Sequence, residues 1–301
     1  IDPMKARTQF LLFLSLATFL FTWELSARKL KPEQLIALHL EAIGENPARR
    51  NRMAQGMGYL DIRVGGTGQM AGPAVWVSEG RKARSSIRFG HIHYQEELLV
   101  YDGKQLDVAQ IAPGARSQLG QSLWAHFQDL IPEGLYGGVL STDWALLGVE
   151  ERRPKLKYKG LKKFEDKQMH QLEYKPKGRV DYKIALFFEP ETHRHLASSY
   201  RLIIPSGRIR PINNLGRGPG STPPRSPGDR PTENFPESRD RITLVERFED
   251  FKNVDGLNLP HTYRVTINLD QFRGSFVGHW EMKFDRILHD QKIDPKVFTS
   301  K

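Results

Sequence analysis

Apolar and polar residues alternate with a period of two along most of this chain, the signature of half-buried β-strands. The clearest run covers residues 72–109. Ala74, Trp76 and Ser78 fall on one face of a first strand, with Val75 and Val77 on the other. Glu79-Gly80-Arg81-Lys82 turns the chain, residues 85–89 return, and residues 98–101 lead to Asp102-Gly103. An Asp-Gly pair accepts positive φ and so suits a two-residue hairpin. Later segments continue the rhythm. Residues 57–64 read as a strand, and Gly65-Gly66-Thr67-Gly68 as a turn that lacks the lysine of a phosphate loop. Residues 181–204 form a hairpin with its tip at Glu189-Pro190-Glu191-Thr192. Residues 242–251 are a strand, and Asp255-Gly256 marks a turn. Tyr263, Val265, Ile267 and Leu269 alternate with polar neighbours, as do Trp280, Met282 and Phe284. The count comes to about eleven strands joined by short turns, which predicts an α+β protein built on a curved antiparallel sheet.

Two stretches leave this period. In residues 30–43 Pro32 suits a first helical turn and Gly44 a stop, with Leu35, Leu38 and Ile43 on one side. In residues 112–148 Leu119, Leu123, Phe127 and Leu130 have helical spacing, with Trp124 and Ile131 widening the stripe. Ser141-Thr142-Asp143 can cap a second short helix holding Trp144, Leu146 and Leu147. This insertion must bury its apolar face against the sheet, either as a permanent plug or as a lid over an apolar cavity.

Composition adds an address and a charge. Lys5 and Arg7 precede an apolar run over residues 10–23, and Leu25-Ser26-Ala27 is a small-residue cleavage site. Residues 1–27 therefore read as a short remnant, Ile1-Asp2-Pro3, followed by a secretory signal peptide, with an uncleaved anchor as the alternative. The run is shorter than the roughly 20 residues of a spanning helix. The 301 residues contain no cysteine, which excludes disulfides, a thiol nucleophile and a lipid-bearing cysteine. Together these predict a periplasmic protein. Lys and Arg outnumber Asp and Glu by 45 to 35. Residues 152–183 hold twelve of the cations against four acids, and Lys155, Lys157 and Lys159 share one face of a strand. Such lysines either protect an edge strand from aggregation or dock onto an acidic surface. No nucleic-acid module is present. Residues 205–239, crowded with Pro, Gly, Arg and Ser, read as a disordered insertion between two strands.

Candidates for chemistry are few. His91 with His93, and His193 with His195, are spaced to share a strand face, yet no carboxylate stands at ligand spacing, so they read as surface histidines. Glu96-Glu97 and Glu189 with Glu191 are paired only in sequence, and no serine sits in a nucleophile elbow. Nothing calls for a metal, a cofactor or an enzyme.

Several segments in order resemble the LolA/LolB-like superfamily of periplasmic lipoprotein carriers. They are the helix LKPEQLIALHLEAIG, the strand pair GPAVWVSEGRKARSSIRF and the hairpin ELLVYDGKQLDV. FEPETHRHLASSY, FKNVDGLNLPHTYRVTI and the closing IDPKVF follow. The resemblance implies that residues 28–301 form a single domain: an incomplete barrel whose inner face is covered by short helices and receives acyl chains. It implies a lipoprotein or lipid cargo, donor and acceptor proteins at the inner and outer membranes, and transient membrane contact. Mapped onto this fold, the cavity and lid candidates are Trp76, Ile87, Phe89, Leu99, Leu119, Leu123, Trp124, Phe127, Leu130, Tyr263, Val265, Ile267, Trp280 and Met282. An envelope sensor or interaction protein on the same fold is the alternative. Carriers of the family hold the lid with an Arg-Pro pair before the second strand of the central pair. Here Ser78-Glu79-Gly80 stands there, with Arg81 and Arg84 displaced.

Overall fold

The computed structural model describes residues 30–44, 51–63, 67–91, 94–112, 115–178, 180–205, 239–271 and 274–299. The segment read as a signal peptide and nearly all of the expected insertion at 205–239 lie outside them, as does His93.

The α+β expectation holds. Helix α1 (Pro32–Ile43) precedes five strands, β1 (Arg52–Arg63), β2 (Thr67–Glu79), β3 (Lys82–His91), β4 (Tyr94–Tyr101) and β5 (Leu106–Val108). A small hairpin, β6 (Gln110–Ala112) and β7 (Ala115–Arg116), leads to α2 (Gln118–His126) and later α3 (Val149–Arg152). Seven strands follow: β8 (Lys155–Phe164), β9 (Lys167–Lys175), β10 (Tyr182–Phe188), β11 (His195–Pro205), β12 (Arg239–Val254), β13 (Leu257–Gln271) and β14 (Gly274–His289). Twelve of them form one open antiparallel sheet in the order β5-β4-β3-β2-β1-β14-β13-β12-β11-β10-β9-β8. Two meanders thus join where β1 pairs with β14, and β5 and β8 are left as opposite edges.

Side-chain alternation gives this sheet two unequal faces. The inner face carries the main core, from Tyr101 and Leu99 through Trp76, Leu60, Trp280, Tyr263 and Leu244 to Tyr200, Ile184 and Leu172. On the outer face Val77, Leu98 and Val100 are covered by the chain's own end, Ile293 and the 3₁₀ turn Pro295–Phe298. Further along, Met169, Phe187 and Ala197 form a separate outer cluster.

Local readings differ in three places. The Asp102-Gly103 turn is a four-residue loop between the paired Tyr101 and Leu106, because the Asp102 carboxylate accepts the N–H groups of Lys104 and Gln105. The two-residue hairpin occurs instead at Asp255-Gly256, both at positive φ between the paired Val254 and Leu257. In α1 the buried stripe is Leu35, Ile36, His39 and Ile43. Trp144, Leu146 and Leu147 lie in turns, and the helix begins only at Val149.

Candidate functional site

Because β5 and β8 are opposite edges, the chain between them must cross the sheet, and residues 115–154 do so over the inner face as a strap. Its apolar side chains supply the burial. Leu119, Leu123, Phe127, Leu130, Leu135, Tyr136, Val139, Leu140, Trp144 and Leu146 are all buried in the main core.

Polar contacts stitch this strap to successive strands. Phe127 packs edge-on against Tyr182 of β10, and Glu133 accepts the Tyr174 hydroxyl of β9 at 2.6 Å. The Leu135 carbonyl accepts Tyr200 of β11 at 3.1 Å, and the Gly137 N–H donates to Glu246 of β12 at 2.7 Å. Arg52 of β1 donates to the Val139 carbonyl, and Trp76 of β2 donates to the Leu140 carbonyl at 3.0 Å. Ser78 accepts the Thr142 N–H at 2.9 Å, and its hydroxyl lies 2.7 Å from that of Thr142, which itself donates to the Gly80 carbonyl. Ser78, at the end of β2, is thus tied to the strap through Thr142.

Two buried carboxylates anchor the stitching. Glu246 sits at the inward register of Ile242, Leu244 and Phe248, and takes donors from Gly137, Tyr263 at 2.6 Å and Tyr200 at 2.7 Å. Burial pushes its carboxyl up to about 7, and the three hydrogen bonds oppose the rise. Burial and the Glu246 charge in turn push the hydroxyls of Tyr136, Tyr200 and Tyr263 well above their ordinary range, so they remain donors. Glu97 of β4 accepts Tyr94 at 2.5 Å, Trp280 at 2.9 Å and the hydroxyl of Ser117. Ser117 caps α2 by accepting the Gly120 N–H at 2.9 Å. Burial raises the Glu97 carboxyl too. Glu97 therefore holds the start of the strap, Glu246 its middle and Ser78 its end.

The strap then meets α1. Trp144 donates to His39 Nε2 at 3.2 Å, while His39 Nδ1 lies 3.1 Å from the His193 carbonyl, which fixes Nδ1 as the protonated nitrogen. Burial lowers His39 to about 4 and depresses His195, which stacks on Trp144 at 4.8 Å. His195 is therefore a core residue, contrary to its reading as a surface histidine. Among the described residues no group of three or more His, Asp or Glu is placed to hold a metal ion.

Of the residues singled out in the sequence, Trp76, Ile87, Phe89, Leu99, Tyr263, Val265, Ile267, Trp280 and Met282 line the inner face. Leu119, Leu123, Phe127 and Leu130 pack against that face from the strap. Trp124 does not join them. It is 45% exposed, turned outward beneath the Arg116 guanidinium at 4.3 Å, because α2 buries only the side that carries Leu119 and Leu123. Lys155, Lys157 and Lys159 lie on the outer side of edge strand β8. Sequence reading passed over Glu246 and Arg52, set Glu97 aside as paired only in sequence, and took Thr142 as part of a helix cap. The signal was present for Glu246, whose register neighbours are Leu244 and Phe248, and only half present for Glu97, which has Leu99 on one side and Gln95 on the other.

No family model matches this chain, and no curated protein matches it. Among solved structures it is similar to a LolA superfamily protein from Nitrosomonas europaea at 14% identity and a TM-score of 0.45, covering 90% of this chain and 99% of that one. It is similar to an outer membrane lipoprotein-sorting protein domain from Vibrio parahaemolyticus at 10% identity and a TM-score of 0.43, covering 89% and 97%. A DUF1329 family protein from Desulfovibrio piger aligns at 12% identity and a TM-score of 0.41, again over 89% and 97%.

Proposed function

We propose that this chain is a periplasmic carrier that holds the acyl chains of a lipoprotein, or of another lipid, against the inner face of the half-barrel for transfer toward the outer membrane. The observation that carries this reading is the inner face itself: an apolar surface continuous across the twelve-stranded sheet, roofed by α1 and by a strap tied to both sheet edges. Burial yields roughly 0.8 kcal/mol per methylene, so a long acyl chain can replace strap side chains at little net cost. Each neutral polar stitch, the Ser78–Thr142 contact included, contributes only about 1 kcal/mol, which allows the strap to yield between its covalent junctions with β5 and β8. Binding of this kind needs no reaction and no cofactor. It needs a donor at the inner membrane and an acceptor at the outer. Among the described residues no helix is long and apolar enough to cross a membrane.

One observation favours a second reading. The strap already fills the inner face, so the fold is complete without cargo, as an envelope sensor that binds a partner protein would require. Purification from the periplasm followed by lipid extraction and mass spectrometry separates the two. Near-stoichiometric acyl lipid supports the carrier. A lipid-free folded protein with a stable protein partner supports the sensor.

A further inference from the structure

The outer face of strands β8 to β11 carries four cations in one row. Lys155 of β8 pairs directly with Lys175 of β9, and Lys183 of β10 pairs directly with Arg201 of β11. The β9–β10 register places Ile184 opposite Tyr174, which one step further aligns Lys183 with Lys175. In each strand the next residue inward along the row's edge (Leu156, Tyr174, Ile184, Leu202) belongs to the core side, so all four cations point away from it.

Like charges directly opposite across strands destabilise a sheet, and adjacent strands are only about 4.8 Å apart. The row therefore opposes folding. None of its four members forms a salt bridge or a side-chain hydrogen bond among the described residues. The lysines beside it differ: Lys159 pairs with Glu173 at 3.1 Å, and Lys157 stands opposite the same carboxylate. Protection of an edge strand explains Lys155 but not Lys183 and Arg201, which lie on interior strands. Lys175, Lys183 and Arg201 also rim a cleft of about 780 Å³ whose walls include Ala185 and Phe187. Ile203, 44% exposed, continues the same face two residues beyond Arg201, and its cross-strand partner Arg241 adds a fifth cation.

We propose that this row is a docking surface for a bilayer rich in anionic phospholipid headgroups. A line of unpaired cations on the outer side of a curved sheet can lie along a flat, negatively charged plane. The exposed Ile203 and the Ala185 and Phe187 part of the cleft, whose lining also includes Glu173 and Asp181, add apolar surface beneath the charged row. The inference deepens the carrier reading by naming where the protein meets its membrane, yet it stands on different residues from those of the inner face.

The test is co-sedimentation of the full chain, stripped of lipid, with phosphatidylglycerol-containing vesicles and with neutral phosphatidylcholine vesicles. The variant K175Q/K183Q is compared with K104Q/K292Q, which loses the same charge elsewhere. K175Q/K183Q keeps or exceeds the wild-type melting temperature, since removing one of two opposed cations relieves repulsion, and K104Q/K292Q, at two exposed positions, leaves it unchanged. We expect salt-sensitive binding to the anionic vesicles only, weakened roughly thirtyfold by K175Q/K183Q and less than threefold by K104Q/K292Q. Equal losses in the two variants, no loss in either, or binding of inorganic phosphate or an acidic polypeptide without vesicle binding overturns the proposal. Cargo extraction reads the inner face and this assay the outer one, so either reading can fail alone.

Discussion

Glu246 accepts the backbone N–H of Gly137 at 2.7 Å, so a fully buried carboxylate of β12 is tied to the turn at the middle of the strap. The acid binds its proton more tightly in the folded protein, at about 7, than in the unfolded chain, near 4.5. The stabilisation linked to that proton is complete below pH 4.5 and is lost as pH rises through 7. His39 has the opposite sign. Its folded value of about 4 lies below 6.5, so stability is complete above pH 6.5 and is lost as pH falls toward 4. Each group accounts for about 3 kcal/mol over its window, and the two offset one another. Urea denaturation between pH 5 and 7 is expected to show, for the wild type, the net of Glu246 and Glu97, which lose stability as pH rises, and His39 and His195, which gain it. Glu246→Gln makes stability rise with pH, and His39→Gln makes it fall. Parallel profiles for both variants would contradict this assignment.

Gly137 has φ +81°, and a Cβ there would stand 2.2 Å from the Trp76 ring, itself held by the Leu140 carbonyl. Gly137→Ala therefore strains the backbone and pushes the strap off β2. The expected cost is about 3 kcal/mol, with faster proteolysis within residues 115–154 than at the strand turns.

Within α2 and the residue after it, Trp124 and Phe127 look equivalent in composition but differ in burial. Phe127→Ala is expected to cost about 3–5 kcal/mol, and Trp124→Ala less than about 1 kcal/mol. Thermal denaturation of the two variants checks the outward turn of Trp124.

The strands were legible because each alternates cleanly, and alternation alone put Trp280 and Met282 on one face together; which face is the inner one came only from the strand order. The strap was legible as an apolar interruption, but its path was not. Which strand Gly137 or Thr142 meets depends on β5 and β8 being opposite edges, a property of the whole strand order. Short-range readings erred where local hydrogen bonds compete, as at Asp102, whose carboxylate closes a longer loop than its Asp-Gly pair implies. The row of cations was equally hidden. Lys155, Lys175, Lys183 and Arg201 become neighbours only once the strand registers are known.

The hydroxyls of Ser78 and Thr142, 2.7 Å apart, offer a direct test of whether the strap must yield for cargo to enter. The chain has no cysteine, so Ser78→Cys with Thr142→Cys introduces one defined pair at two side chains whose tips already meet, and loss of free thiol verifies its oxidation. The decisive measurement is acyl lipid bound per protein after incubation with lipid, in the oxidised and the reduced forms of this variant. The carrier account predicts near-stoichiometric loading when reduced and almost none when oxidised. Equal loading in the two forms would contradict it.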